Sequence, residues 1–214
     1  MKRGLFLTFE GIDGAGKTTQ IRLLEEKLAR KRITSLFIRE PGSTLIGEKI
    51  RKILLSPENK EMVPATEILL YAAARAQIVT EVIRPALDAG RIVVCDRYIH
   101  SSLAYQGFGL GYARDKIRMI NEEAMGGLWP DLTFIFDIEV AESIRRIGQK
   151  GDGCGRKDRI EQRDSEFYDR VRRGYLTLAA EDPERVVIIP AHLSIEEAHT
   201  MIWKEFKGRV TIGI

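Results

Sequence analysis

The chain has 214 residues, 44% of them hydrophobic and 30% charged, which suits one well-buried α/β domain with insertions and is too short for two independent enzymatic domains. Lys and Arg number 34 against 31 Asp and Glu, a net charge of +3, too small an excess for a surface that coats nucleic acid, so any anion site must be local. Cys95 and Cys154 lack the spacing of a zinc or redox motif, which points to a reducing cytoplasm. The basic and apolar start MKRGLFLTFEG carries an apolar run of about five residues, short of the roughly 7 to 15 of a secretory signal, and no stretch predicts a membrane span.

In chain order, short apolar runs alternate with amphipathic stretches, the pattern of a parallel sheet whose crossover helices cover both faces. The first strand, Leu5 to Phe9, runs into Gly11-Ile12-Asp13-Gly14-Ala15-Gly16-Lys17-Thr18, which fits GxxxxGK[ST] between a strand and the helix Lys17 to Arg32. Its glycines let backbone N–H groups turn inward onto phosphate oxygens, Lys17 reaches the β- and γ-phosphates, and the Thr18 hydroxyl ligates Mg²⁺. Alone, the motif means a nucleotide-binding protein and nothing narrower.

A second strand, Ser35 to Arg39, precedes a helix over Thr44 to Leu55, and a polar turn, Ser56 to Pro64, leads to a long predicted helix over Thr66 to Ala89. On that helix Tyr71 and Arg75 are four residues apart and share a face. An aromatic ring there can stack on a base while the guanidinium donates to a carbonyl; a core tyrosine with an incidental surface arginine reads the same pair equally well. The third strand, Ile92 to Cys95, ends in Asp96-Arg97. At the C-terminal rim of a parallel sheet these suit a metal-holding carboxylate and a bidentate grip on an acceptor phosphate.

Predicted helices then cover Arg114 to Met125, Val140 to Ile147, Glu161 to Ala180 and Ile195 to Phe206, with strands Leu132 to Phe136 and Val186 to Ile189 between them. Ser194 and Glu197 form a capping box. The stretch GQKGDGCGRKD, 148 to 158, mixes glycine with basic residues and predicts a flexible cationic loop.

Taken together, FEGIDGAGKTTQ at 9–20, REPGST at 39–44, GEKIRKILL at 47–55, LLYAAARAQ at 69–77, DRYIHSSLAYQG at 96–107, PDLTFIFDI at 130–138 and DRIE at 158–161 resemble the thymidylate kinase family of the bacterial type over nearly the whole chain. The resemblance implies a P-loop kinase fold with a five-stranded parallel sheet flanked by helices, a mobile basic lid over about 148–160, ATP with Mg²⁺ as donor, dTMP as acceptor, dTDP for dTTP synthesis as product, and a homodimer with neither nucleic-acid nor membrane partners. It further implies that Tyr71 and Arg75 bind thymine, with Ser102 and Gln106 near its edge. By the same resemblance Tyr105 would lie against the sugar, Asp13 would accept from the 3′-OH, and Arg39, Arg51 and Arg97 would hold the acceptor, with Glu40 near the metal or phosphates; Arg51 reads equally well as a solvated partner of Glu48 or Glu58. Asp96 joins Thr18 at the metal.

Some members of the family place an arginine inside the glycine loop, where this chain has Gly14. The migrating phosphoryl group spreads charge over its oxygens and needs more cations than Lys17 and one Mg²⁺. Arg156, Lys157 and Arg159 are the obvious suppliers, with Arg97 at the acceptor side. The chain departs from the family at His100, where an acid is frequent and where a histidine near phosphates could serve as a titrating cation although a lone histidine more often packs or hydrogen-bonds, and at Ser43, where a glycine is frequent. Three other readings remain: a kinase for a different acceptor; a nucleotide switch or motor, against which Asn59-Lys60-Glu61-Met62 lacks the aspartate of a guanine motif; and a catalytically dead binding homologue, against which intact Lys17, Thr18, Asp96 and Arg97 argue.

Overall fold

In the computed structural model, which describes residues 3–149 and 158–209, five parallel strands form one sheet in the order β2-β3-β1-β4-β5. They are β1 Phe6–Glu10, β2 Ser35–Arg39, β3 Ile92–Asp96, β4 Leu132–Asp137 and β5 Val186–Pro190, each predicted strand present and most of them a residue longer at the C-terminal end. Every residue of β1 is buried, and Phe6, Leu7, Phe9, Val93, Val94 and Phe134 are wholly inaccessible. Apolar side chains on both faces are what a sheet covered twice requires.

The connection leaving β1 runs toward β2 while that leaving β3 runs toward β4. The two diverge from adjacent strands, and the crevice between their C-terminal ends is where such sheets bind ligands. Phe9 pairs with Asp96 and Arg39 with Asp96, so β1, β2 and β3 end level. Glu10, Glu40 and Arg97 therefore leave the sheet side by side.

The helices are α1 Lys17–Arg30, α2 Leu45–Leu55, α3 Pro64–Ile78, α4 Arg84–Asp88, α5 Ile99–Ser102, α6 Arg114–Met125, α7 Val140–Gln149, α8 Ser165–Glu181 and α9 Ile195–Arg209. Two differ from expectation. The helix predicted over Thr66 to Ala89 widens into a π-helical segment at Val79–Ile83, just before Pro85, which has no N–H for the carbonyl four residues back and whose ring crowds that carbonyl. The helix expected from Glu161 begins at Ser165. Asp158 instead closes a separate turn, its Oδ1 accepting from the N–H groups of Ile160 and Glu161 at 2.8 Å each, and Asp164 caps α8 by accepting from Phe167 N–H at 2.7 Å.

A second π-helical segment, Leu103–Gly109, continues α5. At the far end of the chain the predicted capping box is formed in both directions, Glu197 accepting from Ser194 N–H at 2.8 Å and Ser194 Oγ from Glu197 N–H at 3.2 Å.

Candidate active site

A cleft of about 630 Å³ opens at the divergence of β1 and β3. One wall is the 11–18 loop. Gly11 has φ +131°, and a Cβ there would lie 2.6 Å from the Phe136 carbonyl oxygen; at Gly14, with φ +74°, a Cβ would meet the Ser143 carbonyl oxygen at 2.9 Å. Only glycine fits either place, so the loop has no room for an arginine at position 14 without moving α7. Asp13, Gly14, Ala15, Gly16, Lys17 and Thr18 line the cleft. The carbonyls of Gly11 and Ile12 instead accept Lys17 Nζ at 2.9 and 3.0 Å. Burial, with Arg97 nearby, lowers the Lys17 ammonium to about 8 against the opposing pull of Asp13, Asp96 and Glu10.

Opposite stand the ends of β2 and β3. Arg97 Nη2 is 2.7 Å from Asp13 Oδ1, and its guanidinium lies 5.3 Å from the Tyr105 ring centre. Burial works to raise the Asp13 carboxyl, but Arg97 and Lys17 outweigh it and hold the group below its ordinary value. Asp96 Oδ1 is buried with no hydrogen-bond partner. An orphaned carboxylate oxygen in the cleft that the exposed Thr18 also lines fits a Mg²⁺ ion that takes one or two protein oxygens and completes its shell with phosphate and water. Among the described residues no cluster of three or more His, Cys, Asp or Glu forms an all-protein cage, which such an ion does not need.

Arg75 is not the incidental surface arginine that spacing alone allowed. It is 1% exposed, so the surface reading falls. Its Nε and Nη2 each lie 2.8 Å from Glu40 Oε2, its Nη1 donates to Ser102 Oγ at 3.1 Å and to Asn121 Oδ1, and its guanidinium lies 5.1 Å from the Tyr98 ring centre. Burial pushes the Glu40 carboxyl up to about 7 although Arg75 pulls the other way. Four elements thus fix one guanidinium before any ligand arrives. Tyr71, half-buried, lines the cleft one turn away.

Ser102, Tyr105 and Gln106 all reach the cleft. The Tyr105 hydroxyl is buried without a hydrogen-bond partner, while Gln106 Nε2 donates to Glu67 Oε1 at 2.8 Å. Arg39, half-exposed, pairs with Glu48 at 2.8 Å on the cleft rim. Arg51 donates to the Pro41 carbonyl at 3.0 Å and faces the same space. Ser43, at φ +61°, is held in that left-handed turn by Arg39 N–H on its Oγ at 3.0 Å and by its own N–H on Glu48 Oε1 at 2.8 Å, which replaces the freedom a glycine would give.

Two expectations need correction. Arg159 is not a free cation over the phosphates: it is 7% exposed, its Nη2 lies 2.7 Å from Glu67 Oε2, and its Nε donates to the Leu54 carbonyl at 2.8 Å. The reason is the Asp158 turn, which directs Arg159 down onto α2 and α3. His100 is no phosphate cation either. It is 6% exposed, packs edge-on against Trp129, and burial lowers it to about 4. Arg156 and Lys157 lie outside the described residues.

Asn121 and Glu67 escaped the sequence reading. A signal existed for Asn121, the one polar residue on the buried stripe Ile117, Asn121 and Met125 of α6. Glu67 stands one turn before Tyr71 on the face that carries Arg75, and is 2% exposed.

Glycine loop, strand-end Asp-Arg and divergent connections define a P-loop kinase. Residues 9–202 match the profile of the family described as "Thymidylate kinase". A thymidylate kinase of Exiguobacterium sibiricum is 50% identical over 202 residues, 94% of this chain and 93% of the relative. One from Caldanaerobacter subterraneus is 48% identical over 203 residues, 94% of each. The crystal structure of thymidylate kinase from Ehrlichia chaffeensis superposes with a TM-score of 0.76 at 33% identity, covering 96% of this chain and 99% of that one. The chain belongs to the thymidylate kinase family.

Proposed function

We propose that this chain transfers the γ-phosphoryl group of Mg-ATP to the phosphate of dTMP, giving dTDP and ADP. The observation that carries the acceptor choice is the buried Arg75, fixed by Glu40, Ser102 and Asn121 in a cleft that also holds Tyr71. A guanidinium already immobilised donates to thymine O4 with little further ordering to lose. Tyr71 stacks on the base, and the unpartnered Tyr105 hydroxyl crowds the position of a ribose 2′-OH.

On the donor side the 11–18 loop wraps the phosphates of ATP, and Lys17 leaves its two carbonyl partners for the β- and γ-phosphate oxygens. Thr18 and Asp96 would hold Mg²⁺, whose chemistry there is neutralisation of phosphate charge. Arg97, with Arg39 and Arg51 at the rim, aligns the acceptor phosphate so that one of its oxygens attacks the γ-phosphorus as the bond to the β–γ bridging oxygen breaks. A further cation is needed beside the migrating group. With Arg159 engaged by Glu67, Arg156 and Lys157 are the residues we assign to it.

The working form is a homodimer. Leu45, Ile46 and Ile53 of α2, Leu69 of α3 and Met119 of α6 are exposed apolar residues on helices packed α2 on α3 and α3 on α6, the face we assign to a second copy; light scattering should give twice the chain mass. Among the described residues no helix is long and apolar enough to cross a membrane, and the buried free thiol of Cys95 suits the cytoplasm. Turnover of dTMP, dUMP, dCMP and thymidine side by side, with Mg-ATP and ADP formation coupled to an optical signal, tests the acceptor. dTMP should be used best. A preference for unphosphorylated thymidine, or ATP hydrolysis indifferent to dTMP, would overturn the proposal.

A further inference from the structure

The last residue of β1, Glu10, is 0% exposed and lies next to Gly11 of the donor loop, yet it has no place in the phosphoryl transfer outlined above. Its carboxylate gathers three donors. Oε1 accepts from Tyr98 N–H at 2.7 Å, and Oε2 accepts from Ser101 Oγ at 2.6 Å and the Tyr175 hydroxyl at 3.0 Å. Burial pushes the carboxyl up while these donors and Arg97 pull it back.

Each partner bears on Arg97. Its backbone sits at φ +70°, a region non-glycine residues rarely occupy. The kink is pinned on both sides, by Arg97 N–H on the Phe9 carbonyl at 2.9 Å and by Tyr98 N–H on Glu10. Its side chain is steered as well, since Arg97 Nη1 donates to Ser101 Oγ at 3.3 Å. Having given its own hydrogen to Glu10, Ser101 can accept from Arg97 with one lone pair while its oxygen also lies 2.9 Å from the Tyr175 hydroxyl. Tyr175 closes the set, its ring 6.3 Å from that of Tyr105, over which Arg97 lies.

We propose that Glu10 is a positioning residue: through the Tyr98 amide and the Ser101 hydroxyl it fixes the Arg97 guanidinium toward the acceptor phosphate and locks it in register with the donor loop that begins one residue later. Glutamine has the same size but reverses the relay. Its amide oxygen still takes Tyr98 N–H, while its NH₂ donates to Ser101 Oγ and competes with Arg97 for that oxygen. The inference rests on the reading of Arg97 as the acceptor-phosphate ligand.

The test is calorimetric binding of dTMP and of thymidine, which lacks the phosphate, to the full chain and to Glu10→Gln, Ser101→Ala, their combination and Arg97→Ala. Misplacing Arg97 should weaken dTMP while sparing thymidine. We expect the ratio of the two affinities to fall on the order of 10-fold in Glu10→Gln and in Ser101→Ala, the size of one charge-assisted hydrogen bond, and by less than the product of the two in the combination, because both act through one relay. Arg97→Ala should lower the ratio further. If Arg97→Ala lowers it and Glu10→Gln does not, whatever Ser101→Ala does, or if Glu10→Gln weakens both ligands alike, Glu10 is a structural hub only and the inference falls. An unchanged ratio in Arg97→Ala overturns the Arg97 reading first and the inference with it. Should Glu10→Gln fail to fold, Glu10→Asp, which keeps the charge but shortens its reach to Tyr98 and Ser101, takes its place with the same expected fall in the ratio.

Discussion

The two walls of the cleft, which we assign to the donor and the acceptor, are made in opposite ways. The donor wall is eight consecutive residues whose work falls to the backbone, with one buried ammonium resting on carbonyls it must leave. The acceptor wall is built of side chains from β2, β3, α3, the α5 region and α6, already locked in ion pairs and hydrogen bonds. A contiguous loop can be rebuilt around each nucleotide because local geometry holds it. A constellation drawn from five elements keeps its shape through cross-element partners, and at its centre Arg75 and Glu40 are among the most enclosed charged residues.

The sharpest way to break the contrast is at Lys17. Removing it by Lys17→Ala takes away the one protein cation that the described donor wall brings to the phosphates, and we expect kcat to fall on the order of 10³-fold or more, the scale of losing a transition-state charge partner. Binding of dTMP to the nucleotide-free enzyme, measured calorimetrically, should change less than threefold. An equal loss of both would mean the walls are not independent.

Next in size is Arg159, where stability and chemistry should separate. Arg159→Ala takes from the buried Glu67 its close cationic partner, leaving Gln106 and the more distant Arg163, and breaking a buried pair from one side costs about 3 kcal/mol or more. Denaturant unfolding should show that loss. In the folded fraction kcat should drop less than threefold, since Arg159 faces α2 and α3. A large fall in kcat with unchanged stability would restore a phosphate-facing role.

The same difference explains what could be read from the sequence. All five strands and the glycine loop were legible because their signals are local: an apolar run, a fixed spacing, a strand before and a helix after. Tyr71 and Arg75 could be put on one face, but whether Arg75 was surface or site depended on Glu40, 35 positions away in the chain, and Asn121, 46 away. No periodicity reports such pairs. Arg159 was misread for a related reason: a glycine-rich basic stretch gives no local sign that Asp158 closes a turn which carries Arg159 onto α2 and α3. The shift at Pro85 was readable in principle, since the missing N–H is a property of the residue itself.

Asn121 probes the acceptor wall more gently. Asn121→Ala removes one of three partners of the Arg75 guanidinium and should raise KM for dTMP about 10-fold, the worth of one hydrogen bond to a charged group, with KM for ATP within twofold. Steady-state kinetics with each substrate varied distinguishes the two. A parallel rise in both constants would show that the walls are mechanically coupled through α3 and α6.

The smallest effect is a pH dependence that should appear on one wall only. Burial and Arg97 lower Lys17 to about 8 from an ordinary 10.5, so between these values the unfolded chain holds a proton the empty folded protein has released. The unfolded state then binds more protons, and the contribution of this group to stability rises with pH across that window; below about 8 both states are protonated and the burial penalty is felt in full. Activity runs the other way, because only the ammonium attracts phosphate. kcat/KM for ATP, which reports the free enzyme, should fall about twofold by pH 8 relative to its plateau. kcat should stay level to higher pH, since bound phosphates favour the charged lysine. At saturating ATP, kcat/KM for dTMP should show no such limb, because Lys17 is already engaged. Alkaline limbs at the same pH in both profiles would place the titrating group on the acceptor side and remove the contrast between the walls.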